Sequence, residues 1–218
     1  MRFTFSHPRT STACAFAAAA LLSASAGHAA NSTLGAEQLV ELSFDELLNI
    51  EITSVSKKAE RLQDAPAAVF VISADDLRRS GVRSIPDALR MVPGVQVAQI
   101  DANKWAVSAR GFNGRFAARL LVLMDGRSVY SPLYSGVYWE SQDTFIEDIE
   151  RIEVIRGPGA TLWGANAVNG VVNIITKGAA DTTGSRVYAG IGDELAAFGG
   201  ARHGFRVDDD TAARVYAK

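Results

Sequence analysis

A chain of 218 residues, 48% hydrophobic and with 22 Lys+Arg against 24 Asp+Glu, has the composition of a globular protein large enough for a core, not of a disordered or fibrous one. The near-balanced charge offers no basic stripe for nucleic acid, so nucleic acid is excluded as a partner. The single cysteine, Cys14, lies close to the N-terminus, which excludes a disulfide framework.

Residues 1–30 carry the pattern of a cleaved export signal: Arg2 and Arg9, the apolar run Ala13 to Leu22, then small residues from Ala24 to Ala30. A membrane-spanning helix needs about 20 apolar residues, roughly twice this run. Cleavage near Ala29 or Ala30, with Ala26 as the alternative, leaves 20 basic against 24 acidic residues, a net charge of −4. Between 35 and 50, Leu39, Leu42, Leu47 and Leu48 suit a short amphipathic helix, with Ser43 and Glu46 as its capping box. The following Ile50-Glu51-Ile52-Thr53-Ser54-Val55 is β-branched and polar, with no partner strand nearby in sequence. It reads either as a linker or as a strand held ready for the edge of a partner's sheet.

After Asp64-Ala65-Pro66, Val69 to Ile72 reads as a buried strand, and Ser73 with Asp76 caps a short helix ended by Gly81. Ser84 and Asp87 frame a second cap with Pro86 in the first turn, and Pro93-Gly94 stops that helix before a strand from Val95 to Gln99. Trp105 to Phe112 is strand-like, Asn113-Gly114 is a turn signal, and Leu120 to Met124 is an unbroken apolar strand closed by Asp125-Gly126. Ser131 to Trp139 lacks periodicity and reads as an exposed loop. Short helices alternating with short strands predict an α+β domain.

From Asp148 to Lys177 the pattern is strand, glycine turn, strand. Ile152, Val154 and Arg156 share one face and Glu153 with Ile155 the other, as expected where both faces are partly covered. Gly157-Pro158-Gly159 forces a change of direction, the glycines permitting positive φ. Gly164 and Gly170 bracket Asn166 and Asn169 before Val171 to Thr176 resumes as a strand. The glycine spacing fits no phosphate-binding pattern. After Lys177, Ser185 to Ile191, Glu194 to Ala201 and Arg214 to Lys218 alternate with period two, the pattern of outer-membrane barrel strands.

The stretch Asp148 to Lys177 closely resembles the end of the plug domain of TonB-dependent outer-membrane receptors. Four further segments are similar to that family in the same order: Val71 to Gly81, Ala88 to Val97, Ala109 to Phe112, and Leu121 to Arg127. The resemblance implies a fold of a small mixed sheet with short helices, followed by the first antiparallel strands of an incomplete outer-membrane β-barrel. It divides the chain into a signal peptide (1–30), an energy-coupling segment (31–59), a plug (60–178) and a truncated barrel start (179–218). The parent function it implies is TonB-dependent active uptake of a metal chelate such as an iron-siderophore, or of cobalamin, across the outer membrane of a Gram-negative cell. The partners are TonB with its inner-membrane energising complex, the outer membrane through the parent barrel, and the chelate or cobalamin ligand. Ile50 to Val55 occupies the place of the TonB box, although it departs from the commonest box sequence.

Arg110 and Arg156 resemble plug arginines that form an ionic lock with acidic barrel residues; the alternative is loosely paired surface arginines. Trp105, Phe112, Phe116, Tyr130, Tyr134, Tyr138 and Trp139 either face the ligand from loops or pack the plug against the barrel. No catalytic residues, cofactor or metal site are expected, and His203 is the sole histidine after the signal segment. A rival reading is a periplasmic binding or signalling module that uses the plug fold alone, and another is an inactive gene fragment. At roughly 10 residues per strand, the 40 residues after Gly178 supply at most about four strands where the smallest barrels use about 8, so this chain alone is not expected to insert.

Overall fold

The structure, a computed structural model, describes residues 51–52, 60–61, 67–111, 113–116, 119–159, 163–164, 166–193 and 196–218. The expected signal segment, the helix over 35–50, Ile50, Thr53, Ser54, Val55 and Phe112 lie outside the described residues.

Two short strands, β1 (Glu51–Ile52) and β2 (Glu60–Arg61), pair antiparallel, Glu51 opposite Arg61 and Ile52 opposite Glu60. The expectation that this segment has no partner strand nearby is therefore corrected. Ile52 is fully buried, and an apolar side chain gains by that burial what an extended polar linker cannot.

β3 (Val69–Ser73) leads directly into helix α1 (Ala74–Ser80). The Ser73 hydroxyl accepts from the Asp76 amide at 3.2 Å while Asp76 accepts from the Ser73 amide at 2.9 Å, satisfying two donors that the helix start leaves open. Gly81 ends the helix at φ 68°, a left-handed cap that glycine adopts without strain. Ser84 caps α2 (Ile85–Leu89), with Pro86 in its first turn. β4 (Val95–Asp101) and β5 (Lys104–Ala109) then form a hairpin. Asn113-Gly114 joins no hairpin; β5 turns back on β4 through Ala102-Asn103 instead.

β6 (Leu120–Met124) and β7 (Arg127–Ser128) are joined by Asp125 at φ 49° and Gly126 at φ 77°, the two-residue turn whose twist matches that of the strands. β8 (Tyr130–Ser131) and β9 (Gly136–Val137) pair across the stretch expected to be an exposed loop. Val137 and Trp139 are buried there, because the hairpin folds back onto the core. β10 (Ile149–Ile155) and β11 (Gly170–Thr176) complete the domain.

The main sheet runs β3-β10-β11-β6-β7. β10 is antiparallel to both β3 and β11, whereas β11 and β6 are parallel. One face carries Ile72, Leu120, Val122, Ile152, Val154, Val172 and Ile174 against Leu77, Ile85, Leu89, Trp105 and Val107 of the helices and hairpin. The other carries Leu121, Leu123, Ile155 and Val171 with Ala167 and Trp163. Residues 152–155 are all buried, which accounts for the mixed pattern of β10, since both of its faces are covered.

Beyond Lys177, β12 (Gly184–Gly190), β13 (Phe198–Arg206) and β14 (Ala212–Ala217) make an open three-stranded antiparallel sheet. The second of these was expected over Glu194 to Ala201. It is displaced toward the C-terminus, because pairing Gly190 with Phe198 and Gly184 with Gly204 fixes its register. The described residues form no closed barrel.

Candidate functional site

Because β3, β6 and β11 run one way and β10 the other, the first residues of those three strands share an end with Ile155 and Arg156. Arg110 and Arg156 meet at that end. Arg110 sits at φ 56° just past β5 and donates from Nη2 to the Arg156 carbonyl at 2.8 Å. Arg156 donates from Nη1 to the Pro93 carbonyl at 3.3 Å, and its amide donates to the Ala68 carbonyl at 2.9 Å. The Arg156 Nε is buried without a hydrogen-bond partner among the described residues. Each guanidinium is held through one backbone carbonyl and pairs with no carboxylate among the described residues, so it retains attraction for one.

The turn after Arg156 works through space more than through positive φ. Neither Gly157 nor Gly159 has a positive φ; in this motif that conformation belongs to Gly164, at 92°. This corrects the reading of the Gly157-Pro158-Gly159 run. A Cβ on Gly159 would lie 3.0 Å from Val171 Cγ2, and one on Gly170 only 2.5 Å from the Ile155 carbonyl oxygen. Asn166 is half-buried, and Ala167 beside it is fully buried.

The aromatic residues separate into two sets. Trp105, on β5 and not in a loop, and Trp139, in a single 3-10 turn, are 8% and 5% exposed and belong to the core; Tyr130 is half-buried on β8. Phe116, Tyr134 and Tyr138 instead form a stack. Their ring centroids are 5.0 Å apart for Phe116 and Tyr134, 5.0 Å for Tyr134 and Tyr138, and 6.2 Å for Phe116 and Tyr138, with planes within 15° of parallel. β9 passes so close that a Cβ on Gly136 would lie 2.9 Å from the Phe116 backbone. The Arg115 guanidinium covers Phe116 at 4.9 Å and Tyr138 at 5.8 Å while pairing with Glu140 at 2.5 Å. Burial by itself would raise the Glu140 carboxyl, but hydrogen bonds from its own backbone amide and from Arg115, with the Arg115 charge, outweigh it and hold the pKa below the ordinary 4.5. Tyr134 is 42% and Leu133 80% exposed, so the stack presents a flat, polarisable surface to solvent, suited to stacking against planar groups. Sequence reasoning named these rings but not Arg115 or Glu140, whose spacing of 25 residues follows no local rule.

The family model for the TonB-dependent receptor plug domain matches residues 61–171, about half of the chain. The chain belongs to the TonB-dependent receptor plug-domain family. Among curated proteins, this chain is 32% identical over 145 residues to the vitamin B12 transporter BtuB of Vibrio vulnificus, covering 66% of the chain and 23% of the relative. It is 38% identical over 131 residues to the iron-regulated outer membrane virulence protein of Vibrio cholerae, covering 58% and 20%. Among solved structures it is similar to the ferric-catecholate import receptor Fiu of E. coli K12, at 28% identity and TM-score 0.56 over 72% of this chain and 21% of that one. The alcaligin outer membrane receptor FauA of Bordetella pertussis shares the fold, with TM-score 0.58 at 19% identity over 81% and 31% of the two chains. The chain thus spans about a fifth to a quarter of the length of the curated relatives it matches. The family is one of receptors and transporters, not enzymes.

Proposed function

We propose that this chain supplies the plug and the first wall strands of an outer-membrane receptor for TonB-dependent uptake of a metal chelate, such as an iron-siderophore, or of cobalamin. The observation that carries the proposal is the two-faced β12–β14 sheet. Val187, Ala189, Ala201, Phe205 and Val215 project from one face and are exposed, with Val187 at 74% and Val215 at 60%, whereas Arg186, Tyr188, Arg202 and Arg214 alternate with them along the strands. Apolar-out, polar-in alternation beside a plug is what a lipid-facing barrel wall requires.

In this reading residues 1–30 direct export, 31–59 form the coupling segment, 60–178 the plug and 179–218 the start of the barrel. The aromatic stack with Arg115 is the ligand-facing surface, and Arg110 and Arg156, which have no ion pair among the described residues, are the locking pair for acidic barrel residues. Ile50 to Val55 is the segment offered to TonB. The β1–β2 ladder spans only two residue pairs, so exchanging β2 for a partner strand loses little pairing.

The test is accumulation of labelled cobalamin and of ferric siderophores in cells expressing the receptor that carries this sequence, with and without TonB. Uptake of one ligand class that is abolished without TonB supports the reading. Ligand binding with no TonB-dependent accumulation overturns it.

A further inference from the structure

The plug segment Asp143-Thr144-Phe145-Ile146-Glu147-Asp148 lies against the inner face of the β12–β14 sheet, and every strand brings it a cation. Arg186 of β12 pairs with Glu147. Arg202 of β13 and Arg214 of β14 lie 3.3 and 3.7 Å from the two oxygens of Asp148. Lys218, just past β14, pairs with Asp143 at 2.5 Å and donates to the Thr144 carbonyl at 3.3 Å. Phe145, 1% exposed, lies between the rings of Tyr188 at 5.3 Å and Tyr216 at 6.2 Å.

Asp148 is 2% exposed, and its Oδ2 has no hydrogen bond among the described residues. Its carboxylate is therefore compensated by the charges of the two strand arginines, without a hydrogen bond of the plug's own to Oδ2. Those arginines are held in turn by the plug's exit: Arg202 Nη1 donates to the Thr182 carbonyl, and Arg214 Nη1 to the Lys177 carbonyl at 2.9 Å. A buried carboxylate facing two arginines is costly to strip of either partner.

We propose that residues 143–148 are the plug's docking surface for the first three strands and that Asp148 is its anchor. This seam is opposite in sign to the arginine pair and lies at the opposite end of the main sheet, where β10 begins and β11 ends. It holds the junction end of the plug to the wall while the Arg110 and Arg156 end is left for barrel residues elsewhere. It lies wholly within this chain and does not depend on which ligand is carried.

The test is segment-resolved hydrogen exchange on the purified chain. Asp148→Asn is expected to speed exchange in β12, β13 and β14 by at least about tenfold while β6 and β11 keep their protection. Arg202→Gln combined with Arg214→Gln, which leaves the plug sequence intact, should reproduce that pattern, and Glu150→Gln, which removes an exposed partner of Arg151, should leave all segments as they are. Unchanged exchange in β12–β14 in both the Asp148 and the double-arginine variants overturns the proposal. So does an equal loss of protection in β6 and β11, since the residues would then hold up the whole domain and not the junction.

Discussion

Gly170 is the position where one methyl group should matter most. It opens β11 and is paired with Leu120 of β6, and a Cβ there would sit 2.5 Å from the Ile155 carbonyl oxygen and 3.4 Å from Leu120 Cδ1. Ordinary carbon–oxygen contacts begin near about 3.3 Å, so Gly170→Ala must push the ends of β10 and β11 apart by roughly 0.8 Å. The obstacle is main chain of a central strand, tied to β3 on one side and β11 on the other, and it cannot rotate away as a side chain would. Overpacking of this kind costs about 1–3 kcal/mol, against a typical total of about 5–15 kcal/mol for a domain. With a urea slope of about 2 kcal/mol per molar, the midpoint should fall by about 0.5–1.5 M. Urea unfolding followed by the fluorescence of buried Trp105 and Trp139 measures it. Gly157→Ala is the control: no atom lies within 4 Å of its Cβ position and its φ is not positive, so its midpoint should hold or rise slightly. Equal midpoints for Gly170→Ala and the parent chain, or an equal fall for Gly157→Ala, would refute the close-approach argument.

The Glu140 carboxyl, depressed in the fold by its own backbone amide and by Arg115 despite its burial, stabilises the aromatic loop fully above its unfolded pKa. That contribution is lost as pH falls through the folded value, so Glu140→Gln should flatten the acid limb of a pH–stability curve and an unchanged limb would count against the pair. Asp125 accepts from the Thr176 amide at 2.8 Å and from its hydroxyl at 2.9 Å while holding φ 49°. Asp125→Ala should therefore cost about 1–3 kcal/mol by thermal or urea unfolding, and Asp125→Asn, which tolerates that φ and keeps one acceptor, clearly less. In the receptor that carries this sequence, Ile52→Pro removes a ladder donor and should abolish uptake while surface ligand binding persists; unchanged uptake would return residues 50–55 to the role of a linker.

Much of the plug was legible because its signals are local. Ser73 with Asp76, Gly81, Ser84 with Pro86, and Asp125-Gly126 each act within about four residues, and each cap or turn stands where its chemistry demands. The strand–turn–strand of β10 and β11 was equally readable, although the reason for its glycines was not: only the packed sheet shows that Gly170 is required by a carbonyl oxygen. The same limit explains the other differences. The parallel pairing of β6 with β11, the β1–β2 ladder, the burial of Trp105 and Trp139, and the shifted register of β13 join residues whose partners no spacing rule names. Sequence determined which segments extend, coil or turn, since those choices are made by each residue's own backbone and its nearest neighbours. Tertiary structure alone decided which cation meets which carboxylate, as with Arg115 and Glu140 or Arg202, Arg214 and Asp148, because that depends on which faces exclude water together.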